Sequence, residues 1–485
     1  MKIKYKSLET RGIIMLKNRI KQFLAFIIIY VIIIAAFFFI AQDQIKFTTI
    51  TSNEPTAVGL LPEVSQGTLV EQSFYSSTDI LDYVSVMTGT YGRENTGTLE
   101  MSLLDGATYE VLSHKSVPVN ELKDDLYIWA FDNDITEARN RQFIFRIEST
   151  CPQGLAPTIY YANLEEGSAA AWLNYAETTT QLVFQFSGRN YSWFGHYYWE
   201  IFGIIGLLAL AYMVVDLYKE KKGKCTLAVL FNGIWEKYEF LIKQLVVRDF
   251  KTKYKRSVLG YLWSFLNPLL TMIVQYLIFS SLFKQDIENF PVYLLTGTIL
   301  FSFFQEAVGQ GLNSILANAS LITKVYMPKY IYPVTKVVSS SINLLISVIP
   351  LILVTLITGE KITPAFLLIP FALLCLILFC IGLSLILSSA MVFFRDTQYL
   401  WGIVSLMWMY ATPIFYPESI LPEQYQVVLK LNPLYHMVKF VRVILIDGVS
   451  PEPRRYVYCL ISAIVTCVIG AIIFKKTQDK FILYI

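Results

Sequence analysis

Long apolar runs without charged residues recur along the chain and predict membrane-spanning helices. The first run extends from Phe23 to Ala41, and its 19 residues are about the number that a helix needs to cross a bilayer. A second run, Ile201 to Val215, follows a long polar segment. Six more runs occupy approximately 262–283, 292–311, 334–358, 366–392, 399–416 and 456–474. The pattern therefore predicts about eight transmembrane helices.

The polar segment between the first two runs, residues 42–193, has a different period. Apolar and polar residues alternate in it, as in the stretch LEMSLL that begins at Leu99, and Asp105-Gly106 then supplies a turn signal. Similar alternation surrounds Phe145 and Phe184. Several short strands within about 150 residues predict a β-sandwich or a jelly roll.

Together the two patterns predict a multipass all-α membrane protein with an inserted all-β extracytoplasmic domain. The expected segments are a basic N-terminus (1–22), a membrane anchor (23–41), the β domain (42–193), a transmembrane helix (194–215), a basic amphipathic region (216–260) and a six-helix membrane domain (261–485).

Composition and charge agree with a membrane protein. The chain is 55% hydrophobic and only 16% charged, whereas soluble domains contain about 25% charged residues. Basic residues precede the first run, and residues 216–256 contain eleven Lys or Arg. Because basic flanks stay in the cytoplasm, both termini are expected inside and residues 42–193 outside. Arg454 and Arg455 fall on the predicted outer side, against this bias.

A cleaved signal peptide is the alternative interpretation of the first run. It is disfavoured because the run is long and no small-x-small cleavage site follows it. The net charge of +3 gives no reason to expect a nucleic-acid partner.

A basic stretch with helical periodicity, Tyr238 to Tyr254, leads directly into the third apolar run. Its apolar residues recur at helical spacing among Lys and Arg, which is typical of a helix lying in the membrane interface. Asp249 and Lys253 fall inside the apolar stripe, and their i,i+4 spacing predicts that they pair with each other. Gly260 allows a turn before the membrane helix. A simple juxtamembrane anchor is the alternative interpretation.

Four stretches, in this order, resemble the membrane subunits of type-2 ABC exporters of polysaccharides, the O-antigen and teichoic acid export permeases. They are VVRDFKTKYKRSVLGYLWSFLNPLL from Val246, LITKVYMPKYIYP from Leu321, FFRDTQYLWGIVSLMWMYATPIFYP from Phe393 and LNPLYHMVKFVRVIL from Leu431. The resemblance covers about 235–485. The common short form of that family lacks a large outer domain, so the resemblance implies no role for residues 42–193.

The resemblance implies a homodimeric channel in the bacterial cytoplasmic membrane that works with two copies of a separate cytoplasmic ATPase. The substrate would be a lipid-linked polysaccharide, and the amphipathic helix would be a gate at the cytoplasmic mouth. The gate-helix residues expected to carry this role are Arg248, Asp249, Lys251, Tyr254, Lys255 and Arg256. The residues expected at the ATPase contact are Asn318, Leu321, Lys324, Tyr326, Pro328, Lys329, Arg395 and Asp396.

Aromatic residues are frequent, with 31 Tyr, 33 Phe and 8 Trp, and their rings can stack on sugar faces while letting a polymer slide. Most aromatic residues of membrane helices instead face lipid or the interface. The channel-lining candidates are Trp263, Tyr276, Phe301, Phe304, Trp401, Trp408, Tyr410, Phe415 and Tyr416. The sugar-binding candidates of the β domain are Tyr91, Arg93, Trp129, Tyr160, Tyr161 and Trp172, among which Trp129 and Trp172 are better explained as core residues.

The sequence lacks motifs for nucleotide binding, zinc binding and catalysis. It has no G-x-x-x-x-G-K-[ST] stretch to hold ATP phosphates, so ATP and Mg²⁺ are expected on the partner ATPase and no cofactor on this chain. The sequence also shows no zinc pattern and no catalytic constellation, which favours a transport subunit over an enzyme. Cys151 is the one cysteine of the β domain, so no disulfide is expected there. Glu306 and Lys336 place charge inside apolar runs, where each is expected to face protein or water.

Three other functions compete with polysaccharide export. An ABC exporter of a drug or small lipid would share the fold but is disfavoured by the motifs. A sensor fits two helices that flank an outer domain, but the sequence offers no cytoplasmic signalling domain. A membrane glycosyltransferase would need carboxylates at an outer helix end, and the apolar runs contain almost none.

Overall fold

The structure is a computed structural model, and it describes residues 21, 23–164, 168–221, 227–254, 259–283, 287, 289–324 and 327–484. The chain divides into two compact units. One comprises Ile45–Trp199, and the other joins Met1–Gln44 to Glu200–Ile485.

The first unit is built almost entirely from antiparallel strands. The strands are β1 Phe47–Thr51, β2 Gly59–Leu60, β3 Val70–Tyr75, β4 Ile80–Gly89, β5 Thr98–Asp105, β6 Val111–Pro118, β7 Leu126–Thr136, β8 Gln142–Ser149, β9 Thr158–Asn163, β10 Ala171–Leu173, β11 Ala176–Glu177, β12 Thr180–Leu182 and β13 Phe184–Tyr191. Seven strands form one sheet in the order β1-β13-β4-β9-β12, with β2 paired to β9 and β7 paired to β4; six form the other in the order β11-β10-β3-β8-β5-β6. The predicted β-sandwich is confirmed.

The alternating sequence pattern decides which side chains fill the sandwich. On β5, Met101 and Leu103 are fully buried and lie opposite Ile147 and Phe145 of β8, whereas Ser102 between them is half-buried. Burying a side chain of this size contributes about 1.5–3 kcal/mol. The period of two therefore explains both the strands and the core.

The remaining elements are helices, and most of them form the second unit. The helices are α1 Phe23–Ile40, α2 Gln42–Lys46 at the junction, α3 Trp193–His196 at the end of the β unit, α4 Tyr198–Lys221, α5 Leu227–Tyr254, α6 Trp263–Phe283, α7 Phe290–Ala317, α8 Ala319–Ile322, α9 Ile331–Ile357, α10 Ile369–Phe393, α11 Thr397–Tyr410, α12 Glu423–Leu431, α13 Pro433–Arg442 and α14 Pro453–Thr477. A π-helical segment, Val443–Asp447, follows α13, and a short turn of 3₁₀ helix, Gln478–Leu483, follows α14.

Among the residues described, seven helices are long and apolar enough to cross a membrane, and they confirm the predicted multipass helical class. The predicted span 399–416 is the exception. Its helix, α11, has 14 residues, and at about 1.5 Å per residue it is shorter than a hydrocarbon core of about 30 Å. Helical geometry ends at Tyr410 because Pro413 has no N–H and disfavours helical geometry in the residue before it.

The core of the helical unit lies around α7, which is the most buried of the long helices. Helices α10 and α14 approach each other through glycines, since a Cβ added at Gly382 would lie 2.5 Å from backbone atoms of Thr466 and Cys467. Small residues at such crossings allow close packing between membrane helices. The resulting bundle supports the charged residues described next.

Candidate functional site

Two ion pairs join α5 to the helical bundle. Lys253 Nζ lies 2.8 Å from Glu306 Oε2 on α7, and Lys336 Nζ of α9 lies 2.9 Å from Asp249 Oδ2. Asp249 also accepts from Arg248, whose Nη2 is 2.9 Å away. The charges that interrupt the apolar stripe of α5 therefore meet the charges that interrupt the apolar runs of α7 and α9.

This arrangement corrects the predicted i,i+4 pair between Asp249 and Lys253. Each residue pairs with another helix instead, because Glu306 and Lys336 also need a partner. A charge at mid-bilayer costs about 2.5–3.5 kcal/mol on insertion scales, which makes pairing within the bundle more valuable than pairing along α5.

Glu306 is the centre of a hydrogen-bond network. Its Oε1 accepts from Lys253 at 2.8 Å, Gln310 at 3.1 Å, Ser340 at 3.2 Å and Asn343 at 3.3 Å. Its Oε2 accepts from Lys253 alone among the described residues. Four donors on one carboxylate oxygen hold the side chain in one orientation.

A cleft of about 300 Å³ opens beside this network. Its lining comes from α5, α6, α7 and α9. The lining residues are Lys253, Trp263, Ser264, Asn267, Pro268, Thr271, Thr298, Ile299, Ser302, Phe303, Glu306, Ser340, Asn343, Leu344 and Ser347. Most of these side chains carry a hydroxyl, an amide or a charge, although the helices that supply them are apolar overall.

The remaining gate-helix candidates are less constrained. Lys251 is exposed on α5. Tyr254 ends α5, and its side chain lies outside the described residues, as do Lys255 and Arg256 entirely. Their predicted contact with a lipid headgroup stays a prediction.

The channel-lining candidates fall into three groups by burial within the chain. Phe301, Phe304 and Trp401 are buried in the bundle core, where Phe304 packs edge-on against Trp401 and Trp408. Tyr276, Trp408, Phe415 and Tyr416 are half-buried, and Trp263 and Tyr410 are exposed. Of the nine rings, Trp263 is the one that lines the cleft.

The ATPase-coupling candidates surround the start of α9. Asn318 is buried and donates to the Ser314 carbonyl, and Leu321 packs against a small cluster with Phe481. Lys329 donates to the Gln478 carbonyl at 2.6 Å. The segment is thereby attached to the C-terminal turn.

Other coupling candidates remain open to a partner. Lys324 is exposed and Pro328 is half-buried, whereas Tyr326 lies outside the described residues. Arg395 and Asp396 are exposed in the turn before α11, and neither forms a salt bridge within the described part of the chain.

A buried arginine was missed by sequence reasoning. Arg442, at the end of α13, is 5% exposed and donates to the carbonyls of Tyr293, Pro413 and Ile414 at 2.7–3.3 Å. Its guanidinium also lies 3.3 Å from the Tyr293 ring centroid. It joins α13 to α7 and to the turn after α11. The motif from Leu431 contained it, but nothing local marked it as buried.

The sugar-binding candidates of the β unit also differ in burial. Trp129 is 2% exposed in the sandwich core, as expected, and Tyr161 packs against that core. The expectation that Trp172 is a core residue is wrong: Ala171 is the buried residue of β10, and Trp172 next to it is 40% exposed. Tyr91 is 44% exposed, and the Arg93 guanidinium lies 5.0 Å from its ring centroid. Tyr160 lies on β9 opposite Leu60.

Tyr91 and Arg93 belong to an ordered loop between β4 and β5. Arg93 forms a 2.5 Å ion pair with Glu63, and this hydrogen bond holds the pKa of the Glu63 carboxyl below its ordinary value. Tyr91 has a φ of +58°, which is rare for an aromatic residue and indicates a loop fixed by its surroundings. An open depression of about 840 Å³ lies next to it, lined by residues between Thr90 and Asp124.

Comparison with known proteins decides the family. The profile described as ABC-2 type transporter matches residues 240–446. An O-antigen export system permease protein, RfbA, from Myxococcus xanthus is 30% identical over 246 residues, which cover 95% of that protein and 50% of this chain. The chain belongs to the ABC-2 type transporter family. Its matched relatives are named as permease or transport proteins, so this ABC-2 chain is a membrane transport subunit and not an enzyme.

Two further relatives are also named for the export or transport of a polysaccharide. An O-antigen export system permease protein from Klebsiella pneumoniae is 32% identical over 251 residues, covering 95% of that protein and 50% of this chain. The polysialic acid transport protein KpsM of Escherichia coli is 27% identical over 256 residues, covering 97% of that protein and 51% of this chain. The ABC-2 match begins within α5 and ends in the π-helical segment, so the cleft lies inside it and the β unit outside it.

Proposed function

We propose that this ABC-2 permease forms the channel of an ATP-driven exporter that moves a lipid-linked polysaccharide, such as an O-antigen or teichoic acid, across the cytoplasmic membrane. One observation carries the proposal. The helical half of the chain aligns with about the whole length of relatives named for O-antigen export and polysialic acid transport. A drug or small lipid would be an unusual cargo among such relatives.

The transporter would be a homodimer with two copies of a cytoplasmic ATPase, which holds ATP and Mg²⁺. Supporting this, the sequence has no phosphate-binding loop. In the proposed topology both termini are cytoplasmic and residues 42–193 are extracytoplasmic, because the basic residues concentrate at 1–22 and 216–256. Seven crossings would place the termini on opposite sides, so this topology requires an eighth crossing, formed by α11 together with the segment that follows it up to Tyr416.

The amphipathic helix α5 would serve as the gate. Its two ion pairs to α7 and α9 hold it against the bundle, and its movement requires that both pairs break. Its exposed basic residues would meet anionic headgroups, each contributing about 1 kcal/mol near the surface.

We also propose that the β unit binds the sugar chain after export. Support comes from Arg93, which lines the wide depression, and from Tyr91, whose partly exposed ring lies 5.0 Å from the Arg93 guanidinium. Replacing Tyr91 and Arg93 by Ala should weaken binding of the organism's own surface glycan to the purified permease, measured by calorimetry. Replacing the exposed Tyr175, which lies on another loop, is the matched control. Equal binding by both variants would contradict the role.

Deleting the gene tests the proposed function. Surface glycan should disappear and its lipid-linked precursor should accumulate inside the cell, and the intact gene should restore export. The purified chain should hydrolyse no ATP unless an ATPase subunit copurifies with it. Unchanged surface glycan in the deletion strain would refute the proposal.

A further inference from the structure

The cleft beside Glu306 contains polar side chains that have no hydrogen-bond partner among the described residues. Asn267, Thr271 and Ser302 line it, and none of the three forms a side-chain hydrogen bond within the described part of the chain. Glu306 Oε2 has one donor, so it can accept further hydrogen bonds. Polar residues inside membrane helices are costly and commonly mark the path of a substrate.

The lining combines the groups that recognise a polyhydroxyl ligand. A carboxylate accepts hydrogen bonds, the amides of Asn267 and Asn343 both donate and accept, and serine and threonine hydroxyls do the same. The exposed indole of Trp263 forms one wall and offers an apolar face. The volume, about 300 Å³, lies at the lower limit of ordinary small-molecule sites, about 300–1,000 Å³.

We propose that this cleft binds a sugar unit of the transported glycan, with its hydroxyls on Glu306, Asn343 and Ser302 and its apolar face on Trp263. This assignment rests on the proposed function and deepens it by placing a saccharide subsite within one subunit. It concerns the sugar, not the lipid or its diphosphate.

The charge of the cleft favours a sugar over a phosphate. Among the described residues, Lys253 is the one basic side chain of the lining, and Glu306 neutralises it through both carboxylate oxygens at 2.8 Å. A phosphate would therefore meet no net positive charge from these residues, whereas a neutral sugar needs only donors and acceptors.

Binding would also act on α5. Sugar hydroxyls that donate to Glu306 share its negative charge with Lys253, which weakens one of the two ion pairs that attach α5 to the bundle. Occupancy of the cleft and release of the gate helix are thereby coupled through one carboxylate.

Cysteine protection tests the site directly. Ser302→Cys is placed in an otherwise cysteine-free permease in lipid nanodiscs, and its rate of maleimide labelling is measured. Three probes are compared: the lipid-linked glycan that accumulates in the deletion strain, the same glycan released from its lipid, and polyprenyl diphosphate. Both glycans should slow labelling, and the diphosphate lipid should not.

Variants then test the assigned contacts. Glu306→Gln keeps the size of the side chain, and Asn343→Ala removes an amide; each should reduce the affinity for the released glycan about fivefold, the effect of losing one ordinary hydrogen bond of about 1 kcal/mol. Asn313→Ala on α7 is the matched control, because Asn313 bonds its own helix backbone and does not line the cleft. The control should keep full protection.

The outcomes separate this site from the proposed function. Equal protection by polyprenyl diphosphate, no protection by either glycan, or full protection in both variants would overturn the sugar site while leaving export intact. If no lipid-linked glycan accumulates in the deletion strain, the proposed function fails and this assignment fails with it.

Discussion

At the scale of single residues, the buried Arg442 leaves no room for a side chain at Gly297 on α7. A Cβ added at Gly297 would lie 2.8 Å from Arg442 Nη2 and 3.0 Å from the Ile414 side chain. The guanidinium cannot move away without leaving the three carbonyls that it binds.

Gly297→Ala is expected to destabilise the helical unit by about 1–3 kcal/mol, the ordinary cost of overpacking a filled core. Gly309→Ala is the control on the same helix, because its Cβ would meet nothing within 4 Å. That change should be neutral or slightly stabilising, since Ala is the better helix former. Thermal unfolding in detergent measures both, and equal melting temperatures would contradict the role of Arg442.

In the β unit, Asp105 carries a carboxyl that folding makes more acidic. Its oxygens accept from the Thr108 backbone N–H, from Arg141 and from the Ala107 N–H, and these bonds lower its pKa to about 2. An aspartate of an unfolded chain has a pKa of about 3.9. Because the folded pKa is the lower one, the stabilisation is complete above about pH 4 and is lost as the pH falls towards about 2.

Asp105→Asn should therefore lower the unfolding temperature of the β unit at pH 6, and the difference from the native protein should shrink between about pH 4 and 2. Unfolding of the full chain in detergent, followed by fluorescence, gives both curves. Asp132→Asn is the control, because that side chain is exposed. A difference independent of pH would show that the charge of Asp105 is not responsible.

The sequence predicted the partners of neither Arg442 nor Asp105, and the reason is physical. The contacts of Arg442 join positions 149 and 29 residues apart, which no local pattern records. Glu306, in contrast, was recognised as unusual because charge in an apolar run is visible locally. Local patterns identify which residues need a partner, and the fold decides the partner.

At the scale of elements, the same limit applies to α5 and α11. Periodicity correctly predicted the strands and the long helices, because alternation and apolar length are local properties. The end of α11 at Tyr410 was missed because apolar residues continue to Tyr416, although Pro413 stops the helix. The attachment of α5 was missed because its partners lie on α7 and α9.

Charge exchange tests this attachment. Lys253→Glu and Glu306→Lys each place like charges together, and each should lower export by about tenfold, equivalent to about 1.4 kcal/mol. The double variant restores an ion pair and should recover part of the loss. Export is measured as surface glycan at equal protein abundance. Lys243→Glu on the exposed part of α5 is the control, and a double variant no better than the singles would contradict the pair.

At the scale of the whole molecule, the proposed topology places the two ends of α9 on opposite sides of the membrane. Lys324 precedes α9 and Lys361 follows it, and both side chains are exposed. Lys324→Cys should crosslink to the ATPase in native membranes, and Lys361→Cys should not. Crosslinking at Lys361 instead would show that the topology is inverted.

The order in which the chain is synthesised determines when the ion pairs of α5 can form. Glu306 lies 53 residues after Lys253, so at about 5–20 residues per second it is synthesised about 3–10 s later. During that interval the ammonium of Lys253 must stay in contact with water, which its long side chain permits at the membrane surface. A nascent chain arrested after α6 should therefore leave α5 accessible to a soluble protease, and protection should begin only when α7 and α9 have been inserted.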